Sequence, residues 1–192
     1  NKLLYLYNNY YSDELIKCIE EARESIYVVM YAVIKTNSKT HPVNKILDEL
    51  INSSNHGVKV SVILDDTILE TNLKVYNKLK DNGIDVRFDS HNKVTHVKLV
   101  IIDEEIVFIG SHNWTGSAFS QNIESTVKLK SKECAKVFIN SLKNITTIEG
   151  IPEEIKINNN IENKTIPLLS EFNDTKNNIN KYIPENKEIS TN

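Results

Sequence analysis

The sequence predicts an α/β fold: one domain whose mixed, largely parallel sheet is covered by helices on both faces. Three observations predict it. Apolar strand-length runs alternate with segments of helical period. The order strand, helix, strand, helix, strand, helix, strand is that of crossover units. A last pair of apolar runs lies too close together in the chain for anything but a hairpin, so antiparallel members join the same sheet.

The elements follow in order. "KLLYLY" (Lys2–Tyr7) reads as the first strand. "SDELIKCIEEARES" is helical, with Ser12 as its N-cap and acidic residues in the first turn. "SIYVVMYAVI" (Ser25–Ile34) is a continuous apolar run, as a central strand buried on both faces requires. "HPVNKILDELINSSNHG" is a second helix, with Pro42 near its start and Gly57 past its end. "VKVSVILDD" (Val58–Asp66) is a strand, "ILETNLKVYNKLKDNG" a helix ending at Gly83, and "IDVRFD" a short strand. A hairpin occupies Thr95–Gly110, then a short helix near Thr115–Phe119, a strand around Ile123–Leu129 and a helix over about Lys132–Ile145.

Residues 1–150 are expected to form the catalytic domain and residues 151–192 a weakly ordered tail, since that stretch holds 10 Asn. "KTIPLLSEF" (Lys164–Phe172) is its one apolar patch, able to dock on the domain or on a partner. The 192 residues carry 23 Lys and Arg against 26 Asp and Glu. No broad basic field marks the chain, so any anion site must be local. No apolar run approaches the roughly 18 residues of a membrane-spanning helix. Cys18 and Cys134 are read as free thiols on two helices. The compartment stays unknown: a soluble chain with free cysteines leans towards the cytoplasm. Met30 is the sole methionine, so a trimmed amino terminus could have carried a signal or anchor.

"THVKLVIIDEEIVFIGSHNWTG" (Thr95–Gly116) holds the chemistry. Strand residues two apart share a face, so His96 and Lys98 project together with Val97 packed behind them. The return strand ends in Gly110-Ser111, where a small residue lets an anion approach the backbone. Asn113 adds a neutral donor, and a helix starting near Trp114 or Thr115 would aim free N–H groups at the same spot. The set suits one phosphate. His96 is the expected nucleophile on phosphorus and Lys98 and Asn113 the stabilisers of developing charge. Ser111 donates to phosphate or steadies the loop. Glu124 is the candidate that orients the imidazole. Asp103 belongs to the same set, read as mainly structural at the turn. No metal-ligand motif stands out, and Lys98 with the donors would do the electrostatic work, so no cofactor or metal is expected. Asp65-Asp66, at the end of the third strand, is read as a helix cap or rim feature ahead of the alternative, a cation site.

The pattern H-x-K-x4-D-x6-G-S-x-N, filled here by His96, Lys98, Asp103, Gly110, Ser111 and Asn113, resembles the HKD signature of the phospholipase D superfamily. "GVKV…ILDD" (Gly57–Asp66) and Asn122-Ile-Glu124 extend the resemblance, which covers about residues 3–130. It implies a phospholipase D-like α/β/α sandwich and phosphodiester hydrolysis. Displacement on phosphorus needs an acid for the leaving alkoxide, and one imidazole cannot be nucleophile and acid in one step. His91-Asn92-Lys93 repeats H-x-K without the remainder of the pattern, so a chance match is expected. Single-motif members of this family join two motifs in a two-fold homodimer, and the resemblance implies the same here. A nuclease acting on DNA or RNA is the first expectation, a lipid phosphodiesterase acting on phospholipid or cardiolipin the second, and a non-catalytic nucleic-acid-binding module the third.

Elsewhere the bland readings lead. His112 is the variable loop position, exposed or against substrate. Trp114 packs rather than stacks on a base, and Tyr5, Tyr7, Tyr10 and Tyr11 pack around the first strand. Lys128, Lys130, Lys132 and Lys136 form a solvated stripe.

Overall fold

Parallel and antiparallel pairing divide the sheet unequally, as the computed structural model shows; it describes residues 2–7, 10–90 and 93–152. The strands are β1 (Lys2–Tyr7), β2 (Ser25–Met30), β3 (Lys59–Leu64), β4 (Asp85–Asp89), β5 (Lys98–Ile102), β6 (Ile106–Gly110), β7 (Ser125–Lys130) and β8 (Thr147–Ile148). The helices are α1 (Tyr10–Glu20), α2 (Pro42–Asn55), α3 (Leu69–Asp81), α4 (Gly116–Ser120) and α5 (Lys132–Leu142). The order across the sheet is β1-β7-β6-β5-β2-β3-β4-β8. Only β2–β3 and β3–β4 pair in parallel; the other neighbours are antiparallel. The sheet is mixed, as expected, but not largely parallel. The reason is connectivity: only α2 and α3 link adjacent strands by crossovers, while β5, β6 and β7 return antiparallel to one another, through a tight turn and then through the α4 loop. α1 joins strands that are not neighbours, since β1 pairs with β7 at the edge.

The pairing register sorts the core into two layers. Val28, Val62, Val86, Val100 and Phe108 line one face. On it Phe108 meets Tyr11 of α1, and Phe88 of β4 stacks on Tyr76 of α3. Val29, Leu99, Ile101 and Val107 line the other face against Ala135, Phe138, Ile139 and Leu142 of α5. Burial at this density is the main source of stability.

Local chemistry explains the boundaries. Pro42 occupies the first turn of α2, and His41 before it caps the helix, Val43 N–H donating to its Nδ1 at 3.2 Å. Gly57 and Gly83 end their helices at φ 92° and 77°, backbone that favours glycine. Ser12 is not an N-cap. It lies buried inside α1, because the helix begins before Tyr11 and carries that ring into the core. The apolar run at Ser25 leaves the sheet after Met30, not after Ile34. Asn72 of α3 explains this: its side chain accepts from Val33 N–H and donates to the Tyr31 carbonyl, replacing ladder bonds.

Cys18 is buried and Cys134 half-buried, both free thiols. No helix among the described residues is long and apolar enough to cross a membrane. The compact unit built by these elements runs to Pro152. The tail from Glu153, with Lys164–Phe172, lies outside the described residues, as do His91 and Asn92 of the second H-x-K.

Candidate active site

The site lies where β2 and β3 end, β5 begins and β6 hands over to β7. Lys98 is the first residue of β5, and His96 sits in the loop just before it. The two were expected on one strand face; instead the strand starts between them. Their convergence survives, because Tyr31 N–H donates to the Val97 carbonyl at 3.0 Å and keeps the chain extended beside β2. The Lys98 ammonium donates to the His96 carbonyl at 3.0 Å. It lies 4.8 Å from the centre of the Tyr31 ring, which meets the His96 ring at 4.5 Å. Tyr31 is thus a cation–π platform and a wall for both groups. Val97 is not packed behind them: it is 36% exposed.

Lys98 is buried while His96 is exposed. Burial pulls the ammonium below its ordinary value, and the charges of Glu124 and Asp65 act in the opposite direction. Glu124, half-buried before β7, accepts from Asn122 Nδ2 at 2.9 Å. Among the described residues no hydrogen bond joins Glu124 to the His96 ring. Its charge favours the protonated form of Lys98.

Gly110 and Ser111 close the site on the β7 side. A Cβ on Gly110 would lie 2.3 Å from the Ser125 carbonyl oxygen and 2.4 Å from Thr126 Oγ1. Only glycine lets β6 approach so closely. Ser111 N–H donates to the Ser125 carbonyl at 2.9 Å, its hydroxyl donates there at 3.3 Å, and Ser125 N–H donates to that hydroxyl at 3.0 Å. Of the two expectations for Ser111, steadying the loop is the one these bonds describe. Asn113 Oδ1 is a buried acceptor with no hydrogen-bond partner among the described residues. The helix expected near Trp114 or Thr115 is α4, which starts at Gly116. Trp114 N–H donates to the Ala32 carbonyl, and the Thr115 hydroxyl accepts from Ala118 N–H, capping α4.

Asp103 stands apart from this group. It follows β5 at the far end, about five residues or 16 Å from Lys98. Its carboxylate accepts N–H groups of Arg23 (2.9 Å), Glu24 (2.8 Å) and Ser25 (3.0 Å), fixing the entry to β2. The structural reading of Asp103 is the one the geometry supports.

His112 corrects the expectation of an exposed loop position. It is fully buried, stacked on Tyr11 at 4.5 Å, with Nδ1 2.8 Å from Thr126 Oγ1. Trp114 is buried too, its Nε1 donating to the Tyr11 hydroxyl at 2.9 Å. Tyr11 packs as expected, while Tyr5, Tyr7 and Tyr10 are exposed, Tyr5 stacking on Tyr7 and Tyr7 meeting Tyr10 at a tilt. The lysine stripe is interrupted, since Lys128 pairs with Glu14 at 2.5 Å and Lys130 with Glu105 at 3.5 Å.

Sequence reasoning missed Tyr31, Asn72 and the part played by Asp65. A tyrosine inside an apolar run and a lone asparagine in a helix were weak signals. Asp65 is buried, and its carboxylate accepts Thr95 N–H at 2.6 Å, one residue before His96. Asp65, Asp66 and Asp89 do not assemble an ion site: among the described residues no group of three or more His, Cys, Asp or Glu could hold a metal.

Residues 15–146, more than half of the chain, match the family described as "Cardiolipin synthase, PLD-like domain". The chain is 31% identical over 125 residues to the phospholipase D of Rickettsia prowazekii, across 65% of this chain and 57% of that protein. It is 32% identical over 89 residues to the mitochondrial cardiolipin hydrolase of Mus musculus, across 46% of this chain and 40% of that protein. It therefore spans little more than half the length of the phospholipase D relatives it matches. Two solved structures share the fold. Nuc of Salmonella typhimurium, a phospholipase D family member, aligns with a TM-score of 0.65 at 20% identity, over 78% of this chain and 100% of that one. NucT of Helicobacter pylori aligns with a TM-score of 0.59 at 23% identity, over 77% and 99%. With the motif, the fold and the family match in agreement, this chain belongs to the phospholipase D superfamily.

Proposed function

We propose that the chain is half of a metal-independent phosphodiesterase, an endonuclease acting on DNA or RNA, whose site is completed by a second copy. The observation that carries this reading is the pairing of an exposed imidazole with a buried ammonium on one tyrosine ring. His96 Nε2 attacks phosphorus, the bond to the leaving oxygen breaks, and a phosphohistidine forms. The partner's His96 gives the leaving oxygen its proton. It then takes a proton from water, which attacks phosphorus and breaks the P–N bond. Lys98 and Asn113 stabilise charge on the phosphoryl oxygens. Glu124 is the proposed orienter of the imidazole.

Two features support the finer points. A groove of about 810 Å³ is lined by Lys35, Lys39, Lys74 and Lys78 with Asp48; Asp48 pairs with Lys78, so Lys35, Lys39 and Lys74 are the side chains suited to a phosphodiester backbone. On the sheet face that α5 covers, Leu3, Tyr5 and Tyr7 of β1 and Ile109 of β6 stay exposed, leaving apolar surface for a second copy. The relatives named phospholipase D and cardiolipin hydrolase favour a second reading, hydrolysis of a phospholipid.

The test incubates the full chain, in EDTA, with labelled single- and double-stranded DNA, RNA and cardiolipin vesicles. Nucleic acid is expected to be cut, with loss of rate on the order of 10³-fold or more in His96→Ala. Lipid turnover alone would select the second reading. Cleavage that requires a divalent metal, or that survives His96→Ala, would reject the mechanism. Full specific activity of a monomer at high dilution would reject the shared site.

A further inference from the structure

The loop that carries His96 has few contacts of its own. His96 and Val97 are exposed, and Thr95 is half-buried. Yet the chemistry proposed for this site needs the imidazole held in place. The Tyr31–Val97 bond holds the chain after His96, and the carboxylate of Asp65, 0% exposed at the end of β3, supplies an anchor before it. One of its oxygens accepts from Thr67 N–H at 2.9 Å and from the Thr67 hydroxyl. The other accepts from Thr95 N–H at 2.6 Å. The backbone of Asp65 is fixed in turn: Asn72 Nδ2 donates to its carbonyl at 2.9 Å and to the Tyr31 carbonyl at 2.8 Å. One buried amide thus ties together the residue that holds the His96 loop and the ring that touches both His96 and Lys98.

We infer that Asp65 is a positioning residue of this site, clamping the main chain one residue before His96. The inference rests on the proposed function above. It requires a carboxylate: three donors converge on two oxygens, and an amide of the same shape would turn its own N–H2 towards one of them, leaving that donor unpaired in a buried place. The groups facing Lys98 are His96 and Tyr31, with Glu124 before β7 and Asp65 after β3 as the charged ones. Both carboxylates hold the ammonium's proton on, so losing one must make Lys98 titrate at lower pH.

Asp65→Asn separates positioning from mere folding. At a temperature where circular dichroism shows a native fold, kcat is expected to fall about 10- to 100-fold, with KM changed less than about threefold. NMR of the Lys98 side chain, which needs no turnover, is expected to show a lower titration midpoint than in the unchanged protein. In the unchanged protein, the Thr95 amide is expected to be protected from hydrogen exchange, a measurement that stands even if Asp65→Asn fails to fold. A folded Asp65→Asn with unchanged kcat and an unmoved Lys98 midpoint would overturn the inference, as would rapid exchange at Thr95. A chain that cleaves no phosphodiester yet shows the Lys98 shift and the Thr95 protection would overturn the proposed function and leave the role of Asp65 standing.

Discussion

Strand β5 has a different character at each end, although one motif supplies both. At its start, Lys98 is desolvated and His96 is exposed. At its finish, Asp103 takes up the N–H groups of Arg23, Glu24 and Ser25, within a tight turn where Asp103 and Glu104 adopt φ 51° and 50°. Non-glycine residues rarely enter that region, and a short polar side chain such as aspartate tolerates it best. One end leaves a desolvated ammonium beside an exposed imidazole; the other uses its carboxylate to tie β5 to the entry of β2. The motif thus spans two ends of one strand that make different contacts.

Four experiments would break or sharpen that contrast. Lys98→Met is expected to lower kcat about 10²- to 10³-fold by removing charge opposite the phosphoryl oxygens, without loss of thermal stability. A midpoint that falls sharply would make Lys98 architectural as well. Asp103→Ala is expected to do the reverse, costing about 2–3 kcal/mol in a denaturant titration, since three N–H groups lose an ionised acceptor. The kcat of its folded fraction should stay within about twofold, and a large loss there would return Asp103 to the site. Gly110→Ala tests the close approach of β6 to β7; strain of about 1–3 kcal/mol is expected in the same titration, with wild-type stability contradicting it. The smallest effect concerns pH. Burial holds the Lys98 ammonium below the ordinary lysine value, so it loses its proton as pH rises through that lowered value. The alkaline limb of the kcat profile should therefore fall earlier than an exposed lysine allows, and Lys98→Arg should remove the limb, since arginine keeps its charge. A limb at the ordinary lysine position would refute this.

Much of this was legible in the chain itself. Period, glycine stops and Pro42 located the central strands and helices within a few residues, because those signals are local. The spacing of His96, Lys98, Gly110, Ser111 and Asn113 pointed to a phosphate site for the same reason. Ser12 misled because a good capping residue stood inside a helix whose start was dictated by burial of Tyr11. His112 misled because a histidine between Ser111 and Asn113 reads as a loop residue until Tyr11 and Thr126 close around it.

The sequence by itself determined the elements, the motif and the family, all of which rest on neighbours in the chain. Tertiary structure alone decided that most strands pair antiparallel, that Asp103 sits a strand's length from Lys98, and that Tyr31, Asp65 and Asn72 gather behind His96. Those partners come from β2, β3 and α3, tens of residues upstream of the motif. Burial against such distant elements, rather than local propensity, sets which polar groups are saturated and which stay ready for chemistry.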